Sequence, residues 1–298
     1  MKIIAAVTDS KRKSLMFMLD SLQVISLDDA IKYVKDEKID GVHIVRGKSG
    51  NYIRTNRSLE RKNIDAMSVS LYRFVIPNAT KSLLALHELK DFWKHYQTQL
   101  QKRIRKGDVL ITVEGEWPLA TKEHVRETML PYGKHIFTAA KRYNIDPCLL
   151  GAILIDEIVR LAPLEDVRDK ALAFAINKNV SVGVGQIQLK NIRAIIEKGY
   201  YNPNPSDENL LSENINSLPY SYFHKYAADK KHSVYFAAAF IRYLIDEWVS
   251  VIELQPNIIA TLYHLEYRRP HAHPEPNERG IQIVNEFYPM AKELFNQA

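Results

Sequence analysis

Glu157 is an acidic residue on the apolar side of a helix, and that placement is the chain's clearest sign of chemistry. The segment NIDPCLLGAILIDEIVRL carries helix-start signals at Asp146, a good capping side chain, and at Pro147, whose missing N–H is not needed in a first turn. Counting by threes and fours from Leu150 puts Ile153, Leu154, Glu157, Ile158 and Leu161 on one face. A carboxylate among aliphatic side chains loses its water. It must find a cation, such as Arg160, or raise its pKa and keep its proton near neutrality. A carboxyl group still protonated at neutral pH can serve as a general acid. The alternative is a buried structural ion pair, and the helix alone leaves both open.

A second group of residues begins at Ser181, in SVGVGQIQLKNIRAIIEKGY. Gly183 and Gly185 let backbone come close to a sugar ring, and Gln186 can both donate and accept hydrogen bonds to an N-acetyl or hydroxyl group. A glycine pair also suits a plain tight turn before a helix. Further on, IIATLYHLEY at 258–267 supplies Tyr263, with an aromatic face and a hydroxyl on one side chain, and His264. The segment PNERGIQIVNEFY at 276–288 follows.

Taken in this order, a helix ending in Glu157, a Ser-x-Gly-x-Gly-Gln-Ile turn, a tyrosine helix and a last segment resemble the lysozyme-like fold of lytic transglycosylases and goose-type lysozymes. The resemblance runs from about residue 130 to residue 290. It implies cleavage of the β-1,4 bond between N-acetylmuramic acid and N-acetylglucosamine in peptidoglycan. Glu157 is then the general acid, and Ser181, Gly183, Gly185, Gln186, Tyr263 and His264 are substrate contacts. Two features depart from the family pattern. Gln186 follows Glu157 by 29 positions, a longer interval filled by LEDVRDKALAFAINKN, and His264 stands where the family usually has Asn. That interval supplies Asp166 and Asp169 as candidates for a second catalytic carboxylate. An inverting hydrolase needs one at about 6.5–9.5 Å from the acid, whereas a substrate-assisted enzyme does not. Pairing with Arg168 or Lys170 on a surface helix is the plain alternative for both aspartates.

Other chemistries find less support. His264, Glu266, His271, His273 and Glu275 include metal-binding types, but RRPHAHPEPNERG reads as a proline-rich loop without a rigid ligand frame, so no metal and no organic cofactor is expected. Gly47-Lys48-Ser49 is not a phosphate loop, because Val42 stands where the first glycine belongs and a strand follows; it reads as a hairpin turn with Gly50 and Asn51 as the turn residues. There is no Gly-x-Ser-x-Gly elbow. Cys148, the single cysteine, excludes an internal disulfide and reads as a core thiol. Lys102, Arg103, Arg105 and Lys106 suit a helix C-terminus ended by Gly107; a grip on nucleic acid is the sharper reading, and a basic nucleic-acid-binding protein stays as an alternative.

These motifs must be positioned by about two domains' worth of chain: 298 residues, 46% hydrophobic and 26% charged. The expected class is α+β. A small α/β accessory domain covers 1–70, with strands at KIIAAVT, LQVIS, GVHIVRG and NYIRT and a helix at LDDAIKYVKDE. Its closing Tyr52-Ile53-Arg54-Thr55 is similar to the last strand of a small uncharacterised bacterial domain. A linker helix and short strand region covers 71–128, and a mainly α-helical lysozyme-like domain covers 129–298. VYFAAAFIRYLI at 234–245 reads as a buried central helix, too short and too interrupted to span a membrane. The net charge of +6 suits polyanions, including anionic cell-wall polymers. The opening residues lack an apolar run of signal-peptide length. The expectation is synthesis in the cytoplasm and action on glycan strands in the periplasm or wall after delivery, with delivery machinery or an immunity protein as partners.

Overall fold

Apolar alternation and turn residues divide the chain into a sheet-bearing part and a helical part, as a computed structural model shows. It describes residues 1–8, 14–20, 24–47, 50–56, 64, 68–70, 98, 101–111, 113, 120–161, 179–211, 213–265 and 275–296. The described residues form two compact units, one within Met1–Gly107 and the other within Asp108–Leu161 and Ala173–Ala298. The division falls at Gly107–Asp108, inside the stretch read as linker.

In the first unit, β1 (Ile3–Thr8), β2 (Ser14–Leu19), β3 (Val24–Ser26) and β6 (Ser68–Ser70) form a sheet in the order β3-β2-β1-β6. β1 pairs antiparallel with β2, setting Ala6 opposite Phe17, and parallel with β6. Helix α1 (Leu27–Lys35) follows β3, with Asp28 and Asp29 in its first turn and Lys32 and Lys35 in its last, matching the helix dipole at both ends. It buries Ala30, and Leu27, Ile31 and Val34 pack on a core that includes Phe17, Leu19, Ile25 and Ile53. β4 (Val42–Gly47) and β5 (Gly50–Thr55) make a separate hairpin.

Three local expectations change here. The hairpin register sets Gly47 opposite Gly50, so Gly50 and Asn51 belong to the strand and not to the turn. β2 was not anticipated, because SLMFML lacks the period-two alternation that marks a half-buried strand. β6 lies at the end of the 1–70 domain, where no strand was expected, and it extends the first sheet. Of the basic cluster near 102–106, the helix covers 101–105, and Gly107 follows with φ +88°.

The second unit opens with the short pair β7 (Leu110–Ile111) and β8 (Ala120–Thr121). The Thr121 hydroxyl caps α2 (Lys122–Met129). α3 (Gly133–Tyr143) ends at Asn144, whose left-handed φ of 50° turns the chain toward Asp146. α4 (Pro147–Arg160) is capped as expected: Asp146 accepts a hydrogen bond from the Cys148 amide at 2.8 Å. The pair β9 (Ser181–Val182) and β10 (Ile187–Gln188) leads into α5 (Leu189–Glu197). After the Asn- and Pro-rich stretch come α6 (Tyr220–Ala227) and α7 (Lys230–Trp248). α7 buries side chains on nearly every face, from Val234 to Trp248, and forms the centre against which α3, α5, α6 and α8 (Pro256–Leu265) pack. Among the described residues no helix is long and apolar enough to cross a membrane. The whole is an α+β protein with small sheets and a larger helical part.

The chain closes with α9 (Glu278–Gln282), a π-helical turn over Ile283–Phe287 and α10 (Tyr288–Asn296), the last two packed on α4. Asn277 caps α9 by accepting from the Gly280 amide. The Thr261 hydroxyl ties this cap to α8, donating to the Asn257 carbonyl and accepting from the Asn277 amide. So close is the approach that a Cβ on Gly280 would lie 2.1 Å from the Thr261 hydroxyl oxygen and 2.5 Å from the Asn257 carbonyl oxygen. Gly280→Ala is therefore expected to destabilise the protein by about 1–3 kcal/mol, the usual range for overpacking, as read by urea denaturation. An unchanged midpoint would contradict the contact.

Candidate functional site

Two adjacent acids on one helix create the central electrostatic problem of the second unit. α4 is buried nearly all round, including Leu150, Ile153, Leu154 and Ile155, and Asp156 follows directly, with 1% of its surface exposed. Glu157 is the shallower of the two, its side chain 14% exposed. Both are neutralised by guanidinium groups. Arg160 Nε donates to Asp156 Oδ1 at 2.8 Å, an i,i+4 pair within the helix, and Arg160 Nη2 donates to Gln282 Oε1 at 2.8 Å. Arg279 reaches from α9: its Nε donates to Asp156 Oδ2 at 2.6 Å and its Nη2 to Glu157 Oε1 at 2.7 Å. Arg160, named from sequence as a partner for Glu157, is thus spent on Asp156.

Arg279 Nη1 also meets His264 Nδ1 at the end of α8. Arginine can only donate, so Nδ1 is the acceptor and the ring carries its proton on Nε2. His264 is accordingly held neutral: burial of the ring pushes its pKa down, Arg279 and Arg160 push the same way, and Asp156 opposes them. Burial raises the Glu157 carboxyl pKa to about 7; Asp156 adds to the rise, while Arg279, by charge and by hydrogen bond, and Arg160 oppose it. Burial also works against the charge on Arg279, but Glu157 and Asp156 outweigh it and hold its pKa up.

The glycine turn lies beside this cluster. Gly183 has φ +77°, and a Cβ there would fall 2.2 Å from the Ala227 carbonyl oxygen, so the position needs glycine for both its backbone angle and its space. Gly185 is wedged against Ala237 of α7 and the Tyr263 hydroxyl, with Leu154 of α4 next. The Tyr263 hydroxyl donates to the Gly185 carbonyl at 2.6 Å, and its ring packs edge-on against Phe240. Gln186, at φ +44°, donates from its side chain to the Gly183 carbonyl at 2.9 Å.

Of the residues singled out from sequence, Glu157, Gly183, Gly185, Gln186, Tyr263 and His264 fall in one connected region. Glu157 meets Arg279, Arg279 meets His264, and the neighbouring Tyr263 holds the glycine turn. Ser181 sits half-buried at the start of β9, opposite Gln188. Tyr263 does not present an open aromatic face: it is 5% exposed and braces the turn. Asp166, Asp169, Glu266, His271 and His273 lie outside the described residues. Among the described residues there is no group of three or more His, Cys, Asp or Glu that could hold a metal ion. Asp156, Arg279 and Gln282 were not anticipated. The Asp-Glu-x-x-Arg spacing does predict the Asp156–Arg160 pair, but Arg279 is brought in by tertiary contact alone. No protein-family model matches the chain, and no curated protein matches its sequence.

The raised Glu157 pKa has a consequence for stability. Between 4.5 and about 7 the folded chain holds a proton that the unfolded chain has released, so this group's contribution falls as pH rises through that window and is constant above it. Glu157→Gln removes the effect. Its stability relative to wild type, measured by urea denaturation across the window, should therefore climb with pH. A difference independent of pH would contradict the raised pKa.

Proposed function

We propose that the chain is a peptidoglycan-cleaving glycosidase, a muramidase or lytic transglycosylase, whose helical unit is lysozyme-like and whose general acid is Glu157. One observation carries the reading: a carboxyl with its pKa raised to about 7 is joined through Arg279, His264 and Tyr263 to a glycine turn with a polar Gln186. Near neutrality such a group is present in both protonation states, as an acid that must later act as a base requires.

In this role Glu157 gives its proton to the bridging oxygen as the bond to the anomeric carbon breaks, and the leaving sugar departs as an alcohol. The carboxylate that remains already faces the Arg279 guanidinium. The oxocarbenium-like centre is then closed by a water, whose proton goes to the carboxylate that activates it, or by a hydroxyl of the same sugar, whose proton Glu157 takes up. Asp166 and Asp169 are the candidates for activating a water if the first route operates. Ser181, Gln186 and the backbone at Gly183 and Gly185 are proposed to contact the glycan, with Tyr263 holding that backbone in place.

A non-catalytic glycan-binding protein of the same fold is the second reading. It is favoured by the ion pair on Glu157 and by the inward use of Gln186 and Tyr263 in the turn. Purified sacculi separate the two. Wild type should release muropeptides, detected by mass spectrometry, and Glu157→Gln should lower the rate at least about 100-fold, the lower end for loss of a positioned acid. Anhydro ends would identify the intramolecular route and reducing ends hydrolysis. No release by wild type would overturn the enzyme reading.

A further inference from the structure

Adjacent residues on α4 share one guanidinium, and that sharing is more specific than a pair of salt bridges. The planar fork of Arg279 turns one edge to the helix, Nε to Asp156 Oδ2 and Nη2 to Glu157 Oε1, so neither carboxylate takes the two-pronged grip that arginine gives to a single acid. Asp156 is meanwhile fixed from its other oxygen by Arg160, itself tied to Gln282. Asp156 and Arg160 thus form a rigid seat for Arg279, and Glu157 receives the remaining prong. The third nitrogen of Arg279, Nη1, is occupied by the neutral His264 ring.

We propose that Asp156 and Arg279 are an opposed pair that sets the aim and the ionisation of Glu157, with Arg279 as the positioning residue and Asp156 as its anchor. The proposal rests on the reading of Glu157 as the acid of the site. Its physical content is that the two act on Glu157 with opposite sign. The cation beside Glu157 favours the charged carboxylate, while the negative neighbour at Asp156 disfavours a second negative charge on the same helix turn. Asp156 also draws half of the guanidinium edge away from Glu157, which weakens the opposing effect of Arg279. Among the described residues, the other charged or titratable groups at the cluster include Arg160 from α4, His264 from α8, and Glu286 of the π-helical turn, which accepts from Gln282. Those groups are the same in every variant below.

The direction of each effect is the test, because loss of packing alone predicts no opposed shifts. In the full chain, Arg279→Met should move the Glu157 titration to higher pH and Asp156→Asn should move it to lower pH, each by about 1–3 pH units, the range for one neighbouring charge. Arg279→Lys keeps the charge but not the fork and should fall between wild type and Arg279→Met. Two readouts apply: the pH profile of muropeptide release from sacculi, and the pH at which each variant and the same variant carrying Glu157→Gln part in stability. The second needs no activity. Opposite shifts in it, with no muropeptide release by wild type, would leave the pair intact and overturn the enzyme reading. Shifts of the same sign, or lowered stability with an unmoved midpoint in Arg279→Lys and Asp156→Asn, would overturn the proposal even if Arg279→Met fails to fold.

Discussion

The guanidinium of Arg279 is the point on which the second unit's chemistry depends. Asp156 and Glu157 stand next to each other on a helix that is otherwise apolar, and two unpaired carboxylates there would oppose folding. One internal arginine at i+4 answers Asp156 in part. The remainder is met by an arginine 123 positions from Asp156, which can arrive only if α8 and α9 pack closely and the Thr261 hydroxyl pins the Asn277 cap. The narrow approach at Gly280, the cap at Asn277 and the packing of the π-helical turn on α4 are therefore conditions for neutralising α4, and through it for the state of Glu157.

The same constraint explains why the glycine turn lies where it does. Tyr263 and His264 are consecutive on α8, and their side chains face different tasks: the tyrosine hydroxyl closes on the Gly185 carbonyl and the imidazole closes on Arg279. A shift of α8 along its axis would disturb the turn and the ion cluster together. This coupling gives the cluster and the turn a common frame.

Local signals made a good part of this readable from the residues alone. Asp146 and Pro147 mark the start of α4 because capping is a property of a few neighbouring residues, and the buried α7 announces itself by apolar side chains on all faces. The turn at Gly183 was legible as glycine, and its reason, a backbone angle and a carbonyl 2.2 Å from a would-be Cβ, came only with the fold. Glu157 stood out by type and spacing, yet Asp156 proved the deeper acid, since a stripe count follows one face of a helix that is covered on most sides. Arg279 was hidden for a plainer reason: its partners are far away in sequence, and no helical or strand periodicity encodes that separation. β2 was missed because its continuous apolar run lacks the alternation of a half-covered strand.

Glu157, although paired with Arg279, retains a proton close to neutrality because burial and Asp156 outweigh the guanidinium. The most direct test is a carbon-13 NMR titration of the side-chain carboxyls, with the Glu157 resonance assigned by its loss in Glu157→Gln. A midpoint near 7 is the predicted result, and a midpoint at or below the ordinary 4.5 would contradict the account.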